Sequence, residues 1–292
     1  MMRLNWLAAT AALLAGVATH AQVFTFSREE MTRYTAQNPF ERFPDGRPKV
    51  PDALLEKVKE LTAEEVWGVL PGARYPNQFE GNWRILHPGR KLVGRAVTAQ
   101  FMPTRPDIAE VIDADAKAKG LGRAHNQRVI DMLQPGDVLV VDLFGKIDQG
   151  TIVGDNLATA IFAATKTGFV VDGAIRDLEG IYPIEMAAYF RGVHPSALGN
   201  VMLTGVNVPI RIGNATVMPG DVVLGDREGV YFIPPHLVQK VVDRAEETHI
   251  HDEWTKMKFL TGKYKSSELY PSPRDPELRK EYEEYRKKKL GK

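Results

Sequence analysis

Cysteine is absent from the 292 residues of this sequence. Its absence excludes disulfide bonds, metal sites built on thiolates and catalysis by a cysteine nucleophile. A chain without thiols is also unaffected by an oxidising compartment, where free cysteines pair or oxidise. Any metal or catalytic chemistry must therefore come from carboxylates, imidazoles, amines, guanidinium groups or hydroxyls.

A large excess of charge of one sign is also absent. The 38 Lys and Arg residues nearly balance the 37 Asp and Glu residues, which leaves a formal net charge of +1. Domains that bind nucleic acids usually cluster basic residues on one face, so we expect no nucleic-acid partner. The densest charged run, residues 274–292, alternates in sign. Its acid–base pairs at i, i+4 spacing, such as Glu283 and Lys287, predict a solvated helix.

Several familiar catalytic motifs are missing. The sequence has neither a glycine-rich phosphate loop ending in Lys-Ser or Lys-Thr nor a Gly-x-Ser-x-Gly nucleophile elbow. His249 and His251 lie two residues apart within a predicted helix, where their side chains point in different directions. We therefore interpret both as surface histidines and not as two ligands of one metal ion.

Long apolar runs are confined to the N-terminus. Residues 7–18 are apolar and rich in alanine, Arg3 is the only charged residue before them, and Ala21 ends a small-residue cleavage pattern. These features predict a signal peptide over residues 1–21 and an exported protein, periplasmic or secreted. The run is too short to span a bilayer comfortably, so we expect no membrane span after cleavage. The alternative, a buried N-terminal helix, is disfavoured by the polar sequence that follows.

Turn-forming and β-branched residues divide the rest of the chain. Residues 22–90 form a predicted N-terminal extension, with a short helix over residues 51–61 that a proline starts. From residue 91 onward, β-branched runs alternate with Gly and Pro. The predicted elements there are strands at residues 93–101, 138–142, 206–212 and 230–233, and helices at residues 108–118 and from Pro235 to about residue 258.

The turn sequence Pro-Gly-Asp occurs twice, at residues 135–137 and 219–221, and an apolar run follows each copy. Pro and Gly favour a tight turn before a strand. The continuous apolar run at residues 138–142 is typical of a strand buried on both faces. The two copies indicate two similar β units, although such a turn is common enough to recur by chance.

The most informative segment lies between the two copies. Apolar residues at helical spacing predict a helix over residues 157–164, with Asp155 or Asn156 as its N-cap and Gly168 as the residue that ends it. A buried strand is predicted next, at residues 169–172. The order strand, helix, strand is typical of an α/β unit.

Arg176 and Asp177 follow this last strand, at the edge where open α/β sheets collect their sites. Arg176 offers a planar fork suited to a carboxylate. Asp177 offers oxygen ligands suited to Mg²⁺ or Mn²⁺. Asp155 lies at a helix N-terminus, where free N–H groups favour an anion. The alternatives are that Asp155 only caps its helix and that Arg176 and Asp177 only pair with other charges.

Three segments, residues 154–157, 171–177 and 209–230, look like consecutive motifs of one family. The sequence resembles the family of the regulator of ribonuclease activity A and the metal-dependent pyruvate aldolases, which includes 4-hydroxy-4-methyl-2-oxoglutarate aldolases. The resemblance covers roughly residues 91–262 and leaves a charged tail at residues 263–292 outside it. It implies an α/β fold with a swivelling β/β/α domain, flanked here by the N-terminal extension and a helical C-terminal tail.

The resemblance also implies a site and an assembly. The Asp that matches Asp177 holds the divalent metal, and the Arg that matches Arg176 binds the pyruvyl part of a 2-oxo acid. The Asp that matches Asp155 positions a water for proton transfer. The backbone amides that match Asn156 and Leu157 receive the carboxylate. Family members assemble as homotrimers or homohexamers with the site between subunits.

The chain departs from the aldolase pattern in one place and leaves a choice in another. Aldolases usually carry an acidic residue three positions after the metal Asp, where this chain has Gly180, although the adjacent Glu179 is acidic. They also draw an acidic residue from the C-terminal helix of a neighbouring subunit. Asp252 and Glu253 are the two candidates for that role.

Two classes of function follow. As an enzyme, the chain is expected to be a metal-dependent lyase that cleaves a 4-hydroxy-2-oxo acid to pyruvate, with oxaloacetate decarboxylation as a side activity. A Schiff-base aldolase that uses Lys166 is a weaker version, because a lysine at a helix C-terminus is more simply a surface residue. As a binding module, the chain is expected to be a non-catalytic regulator with an exported protein partner.

Overall fold

A computed structural model describes residues 24–291 of the chain. The predicted signal peptide lies outside these residues and stays a prediction. Within residues 24–291, no helix combines the length and the apolar character that crossing a bilayer requires.

The described residues form strands and α-helices that are numbered here in chain order. The strands are β1 (Phe79–Glu80), β2 (Arg84–Ile85), β3 (Leu92–Pro103), β4 (Asp137–Val153), β5 (Gly168–Ile175), β6 (Ala187–Val193), β7 (Val201–Val206), β8 (Ile210–Ile212), β9 (Ala215–Val217), β10 (Val222–Gly225) and β11 (Val230–Ile233). The helices are α1 (Arg28–Tyr34), α2 (Asp52–Val58), α3 (Ala63–Trp67), α4 (Pro106–Ala118), α5 (His125–Ile130), α6 (Asp155–Thr165), α7 (Leu178–Ile181), α8 (Pro235–Phe259), α9 (Ser266–Leu269) and α10 (Pro276–Leu290).

One mixed sheet of nine strands organises the fold, and β8 and β9 form a separate hairpin. Eight strands follow the order β1-β11-β10-β3-β4-β5-β6-β2, and β7 pairs with β3 outside this path. Strands β3, β4, β5 and β6 are parallel neighbours, so their carboxyl ends lie at one edge of the sheet. The α/β class that the sequence predicts is therefore confirmed.

The two ends of this strand path meet, because β1 and β2 are close together in sequence. From Glu80 to Arg84 the chain spans at most about 14 Å, whereas eight strands laid flat measure about 34 Å across. Arg191 on β6 also reaches Glu80, with Nη2 and Oε1 2.7 Å apart. The sheet therefore curls into a closed, barrel-like layer, and residues 79–85, here called the clasp, join its ends.

Alternate residues of each strand face the inside and the outside of this layer. On the outside, Leu139 of β4 packs in one cluster with Ile161 of α6. On the inside, Val138 joins a second cluster that includes Phe232 of β11 and Ile212 of the β8–β9 hairpin. The apolar run at residues 138–142 thus forms a strand with both faces covered, as its sequence predicts.

The described part of the N-terminal extension belongs to the same fold. Helices α2 and α3 pack with α8 and β11 in a third core cluster. Arg47 is only 2% exposed and reaches Asp137, which is fully buried at the start of β4. The Nη1 and Oδ1 atoms of this ion pair are 3.0 Å apart. The extension therefore supplies a charge that the core requires.

Helix α6 differs from the predicted helix at both ends. Its N-cap is Gly154, and Asp155 is already helical, so the prediction of Asp155 or Asn156 as the N-cap is wrong. Lys166, with a φ of 60°, takes the left-handed C-cap position that was predicted for Gly168. Gly168 instead begins β5, where its backbone lies so close to β6 that a Cβ atom would collide with it.

The predicted strand at residues 206–212 is divided in two. Strand β7 ends at Val206 and β8 begins at Ile210, because Asn207 adopts a left-handed φ of 51° that breaks the extended chain. The strands predicted at residues 93–101 and 230–233 are confirmed as β3 and β11, and the helix predicted from Pro235 is confirmed as α8.

The interpretation of the two α8 histidines as surface residues is wrong for one of them. His249 is half exposed and pairs with Glu65 of α3. His251 is only 19% exposed. Its ring centroid lies 6.5 Å from that of Tyr270 and 5.3 Å from that of Tyr282, because the C-terminal tail folds back over α8.

Candidate active site

The carboxyl end of β5 carries Arg176 and Asp177, as predicted. The Arg176 N–H donates to the carbonyl of Val153 at 3.0 Å, so the ends of β4 and β5 remain side by side. Asp177 then turns the chain with a left-handed φ of 57°, and the N–H groups of Gly180 and Ile181 donate to its carbonyl. Asp tolerates this conformation better than most residues, and strained positions of this kind concentrate at functional sites.

The start of α6 lies directly against this turn. A Cβ atom built on Gly154 would lie 2.5 Å from Oδ2 of Asp177 and 3.1 Å from Nε of Arg176. A Cβ atom on Gly180 would lie 2.7 Å from Cβ of Asp155 and 2.8 Å from its Oδ2. The two glycines therefore allow Asp155, Arg176 and Asp177 to come together, as the sequence analysis expected.

The closeness of Gly180 to Asp155 gives a physical reason why this chain has glycine where aldolases usually carry an acidic residue. Any side chain at Gly180 would collide with Asp155 in this arrangement. The acidic residue that the aldolase pattern places at this position therefore has no room here. The carboxylate of Asp155 lies next to that space.

Arg176 and Asp177 form an exposed ion pair. The Nε and Oδ2 atoms are 3.2 Å apart, and the side chains are 40% and 42% exposed. An exposed pair of this kind contributes only about 0–1 kcal/mol to stability. A ligand can therefore compete for either charge at little energetic cost, which suits a binding role better than a structural one.

The N-terminus of α6 is partly occupied by its own first side chain. The N–H of Asn156 donates to Oδ1 of Asp155 at 2.7 Å, and the hydroxyl of Thr159 donates to the Asp155 carbonyl at 2.9 Å. For the amides of Asn156 and Leu157 to bind a carboxylate together, the Asp155 side chain must rotate away from Asn156.

The donor chemistry of this site fits a hard divalent cation with few protein ligands. Asp177 supplies carboxylate oxygens directly after β5. Over residues 24–291, no cluster of three or more His, Asp or Glu residues is arranged around a common point. Mg²⁺ is commonly held by only one or two carboxylates, together with water and substrate oxygens. Asp177 is therefore the residue that would hold Mg²⁺ or Mn²⁺ here.

The other predicted candidates are engaged elsewhere in the described chain. Asp252 bonds to Lys256 one turn along α8, at 3.4 Å, and Glu253 bonds to Lys289 of α10, at 2.7 Å. Lys166 lies at the C-terminus of α6, about 16 Å along the helix axis from its start. Because that start forms the site, Lys166 is too far away for a Schiff-base role there.

One polar network near the site was not identified from the sequence. Asp142 on β4 and Asp172 on β5 are register partners. Oδ1 of Asp172 accepts from Nε of Arg191 at 2.7 Å, and the Arg191 guanidinium lies 3.7 Å from the centre of the Trp83 ring. Burial raises the pKa of the Asp142 carboxyl, and the negative Asp172 adds to this effect. The signal in the sequence was Val-Val-Asp, which occurs in both strands, at residues 140–142 and 170–172.

Comparison with known proteins decides the family. The sequence model of the RraA-like family, described as Aldolase/RraA, matches residues 72–232. The chain belongs to the RraA-like family. The matched range includes the clasp and all three residues that converge at the end of β5.

Individual relatives agree with this assignment. A Halalkalibacterium halodurans protein named "Putative 4-hydroxy-4-methyl-2-oxoglutarate aldolase" is 34% identical over 119 residues, which are 41% of this chain and 56% of that protein. The Legionella pneumophila protein DlpA is 29% identical over 213 residues, 72% of this chain and 32% of DlpA. This RraA-like chain thus spans less than two thirds of the length of either relative.

The fold is shared with a solved RraA-like structure. The crystal structure of Streptomyces coelicolor RraAS2, described as an unusual member of the RNase ES inhibitor RraA protein family, is 27% identical and superposes with a TM-score of 0.57. The match covers 75% of this chain and 100% of RraAS2. RraA-like proteins therefore include both aldolase-named and inhibitor-named members.

Proposed function

We propose that this RraA-like protein is a divalent-metal-dependent lyase that acts on 2-oxo acids. Its reaction is the retro-aldol cleavage of a 4-hydroxy-2-oxo acid, which releases pyruvate, with decarboxylation of oxaloacetate as a side activity. The observation that carries this proposal is the convergence of Asp155, Arg176 and Asp177 around Gly154 and Gly180. The aldolase name of the Halalkalibacterium relative supports the same small-molecule substrate class.

Each of the three side chains has a separate task in this reaction. Asp177 holds Mg²⁺ or Mn²⁺, which when bound polarises the 2-oxo group of the substrate as a Lewis acid. Arg176 pairs with the substrate carboxylate and offsets the negative charge that grows as the bond breaks. Asp155 accepts the proton of the C4 hydroxyl through a water molecule.

The retro-aldol reaction balances in atoms and electrons with these groups alone. As the C4 hydroxyl loses its proton, its oxygen forms a carbonyl with C4, and the C3–C4 bond breaks. The electron pair of that bond moves to C3 and C2, which gives the enolate of pyruvate. Protonation at C3, by the proton that Asp155 received, then releases pyruvate. No oxidant or reductant is required.

Pyruvate release, coupled to lactate dehydrogenase and followed as NADH loss, tests the proposal. Asp177→Asn is the sharpest variant, because Asn keeps the preference for a left-handed φ but removes the charge. We expect activity with Mg²⁺ or Mn²⁺ to fall to background in this variant. Asp107→Asn is a matched control, since Asp107 also pairs with a nearby arginine, Arg105, at a helix start.

Two results would contradict the enzyme proposal. Asp177→Asn with the activity of the unmodified protein would remove Asp177 from the metal site. An unmodified protein that neither releases pyruvate from 4-hydroxy-2-oxo acids nor decarboxylates oxaloacetate, with either metal, would exclude the lyase function.

The second candidate function is a non-catalytic regulator that binds an exported protein partner. The observation that favours it is the match to RraAS2 over the whole length of that inhibitor-family protein. Added protein would then inhibit the partner's activity, and Asp177→Asn would inhibit equally well. Loss of inhibition in Asp177→Asn would instead tie the effect to the lyase site.

A further inference from the structure

A cavity of about 350 Å³ lies between the N-terminal extension and the barrel-like sheet. Its walls come from the segment after α1, from Tyr75 and Gln78 before the clasp, and from Met218, Asp221 and His236. Ligand-binding pockets typically begin at about 300 Å³. The cavity is therefore large enough for a small molecule, and it is separate from the residues at the end of β5.

Asp221 places a buried carboxylate in the wall of this cavity. Its side chain is 2% exposed, and Oδ2 accepts the N–H of Met218 at 2.8 Å. This bond closes the second Pro-Gly-Asp turn. Across residues 24–291, no Arg, Lys or His forms an ion pair with Asp221, and burial raises the pKa of its carboxyl to about 7.

The first Pro-Gly-Asp turn is built in the same way but has a cation. Oδ2 of Asp137 accepts the N–H of Gln134 at 3.1 Å, three residues earlier in the chain. The guanidinium of Arg47 then lies 3.0 Å from Oδ1 and 3.4 Å from Oδ2 of Asp137. A buried carboxylate is stable only when it is paired or neutral. In the first turn, Arg47 supplies the positive charge that pairs with the buried carboxylate. In the second turn, the buried Asp221 has no such partner within the described chain and lines a cavity.

The other charged and titratable groups at the cavity are compatible with a bound cation. Burial lowers the pKa of His236, so its ring is neutral at neutral pH; Nε2 lies 3.4 Å from the Tyr75 hydroxyl. Tyr34 also lines the cavity, but its ring stacks on Phe26, with centroids 5.0 Å apart, and the Arg33 guanidinium lies 4.8 Å from its centroid. Arg33 is the one competing cation at the lining, and its side chain is exposed, with Nη2 donating to the Tyr34 hydroxyl.

We propose that this cavity binds a small organic cation, with a guanidinium or primary ammonium group that pairs with Asp221 as Arg47 pairs with Asp137. This site is independent of the proposed lyase activity, because none of its residues belongs to the convergence of Asp155, Arg176 and Asp177.

Isothermal titration of the full-length protein with agmatine and methylguanidinium tests the proposal. At pH 6 Asp221 is mostly protonated, so binding must expel that proton. The apparent Kd at pH 6 is therefore expected to be about tenfold weaker than at pH 8.5. Titrations at pH 6 in two buffers of different ionisation enthalpy should show release of close to one proton per cation, falling to near zero at pH 8.5.

Two controls separate this site from unspecific binding. Methylurea has the shape of methylguanidinium without its charge and is expected not to bind. Asp221→Asn should abolish agmatine binding, whereas Asp131→Asn, which removes an exposed carboxylate that does not line the cavity, should leave it unchanged.

Three outcomes would overturn the proposal: no heat with either cation at pH 8.5, equal binding of methylurea, or unchanged binding by folded Asp221→Asn. If circular dichroism shows that Asp221→Asn does not fold, the unmodified protein decides. Identical heats in the two buffers at pH 6 would then exclude a protonated Asp221 at the binding site.

Discussion

Removal of the Arg47 guanidinium is expected to destabilise the protein strongly and in a pH-dependent way. Arg47 and Asp137 are 2% and 0% exposed, and two short contacts of 3.0 and 3.4 Å join them. Arg47→Met keeps most of the side-chain volume but leaves buried Asp137 without its ion-pair partner; the positive charge of Arg95 still acts on its carboxyl. Loss of one partner of a buried pair costs about 3–5 kcal/mol, or a fall in Tm on the order of 10 °C.

The pH dependence follows from the sign of the Asp137 pKa shift. Burial already raises the pKa of Asp137 above the ordinary value of 3.8 for Asp, even though Arg47 opposes the shift. Without Arg47 the pKa rises further, so the folded variant binds a proton that the unfolded chain releases. A raised carboxyl pKa makes stability fall as pH increases from the unfolded value to the folded one. The loss in Arg47→Met is therefore larger at pH 8 than at pH 5.5.

Urea unfolding followed by circular dichroism at these two pH values measures both effects. Arg105→Met is the control, because Arg105 is 69% exposed in its pair with Asp107, and such a change is expected to stay within about 0.5 kcal/mol. The double variant Arg47→Met/Asp137→Asn should recover part of the loss, since it removes the unpaired charge. A loss below about 1 kcal/mol at pH 8, or the same loss at both pH values, would refute this reasoning.

Four further predictions concern the site and the whole chain. Asp155→Asn is expected to lower kcat about 10²–10⁴-fold while calorimetry shows unchanged Mn²⁺ affinity; a normal rate would mean that Asp155 only accepts the N–H of Asn156 at the start of α6 and transfers no proton. Arg176→Lys keeps the charge but loses the fork, so pyruvate-release kinetics should show a higher KM and a lower kcat; normal kinetics would place Arg176 outside the site. N-terminal sequencing of exported protein should begin at Gln22, and an intact Met1 on cytoplasmic protein would contradict the signal peptide over residues 1–21. Light scattering should give a trimer or a multiple of three, and a fully active monomer would contradict that assembly.

Local patterns were sufficient to predict the elements that depend on neighbouring residues. The apolar runs gave β3 and β11, and helical spacing gave α8. The predicted order strand, helix, strand correctly placed Arg176 and Asp177 directly after a parallel strand, β5. The turn chemistry around α6 was predicted less well, because Lys166 adopts the left-handed conformation that a glycine was expected to supply.

Contacts between distant residues could not be predicted from the pattern. Arg47 and Asp137 are 90 positions apart, and nothing local to either residue names its partner. Arg191 pairs with Asp172 on the neighbouring strand β5, but it reaches Glu80 only because the sheet closes on itself. The lack of space for a side chain at position 180 likewise depends on how α6 and α7 pack, which no local sequence pattern specifies.

The clasp also has a consequence for solubility. Strand edges with unpaired N–H and C=O groups are templates for aggregation. In this fold β1 covers the edge of β11, and β2 covers the edge of β6. A chain that began at residue 91 would lack both β1 and β2. It would therefore present two open sheet edges, those of β11 and β6, to other molecules. The clasp thus covers both edges of the sheet, where strand pairing between molecules would otherwise begin.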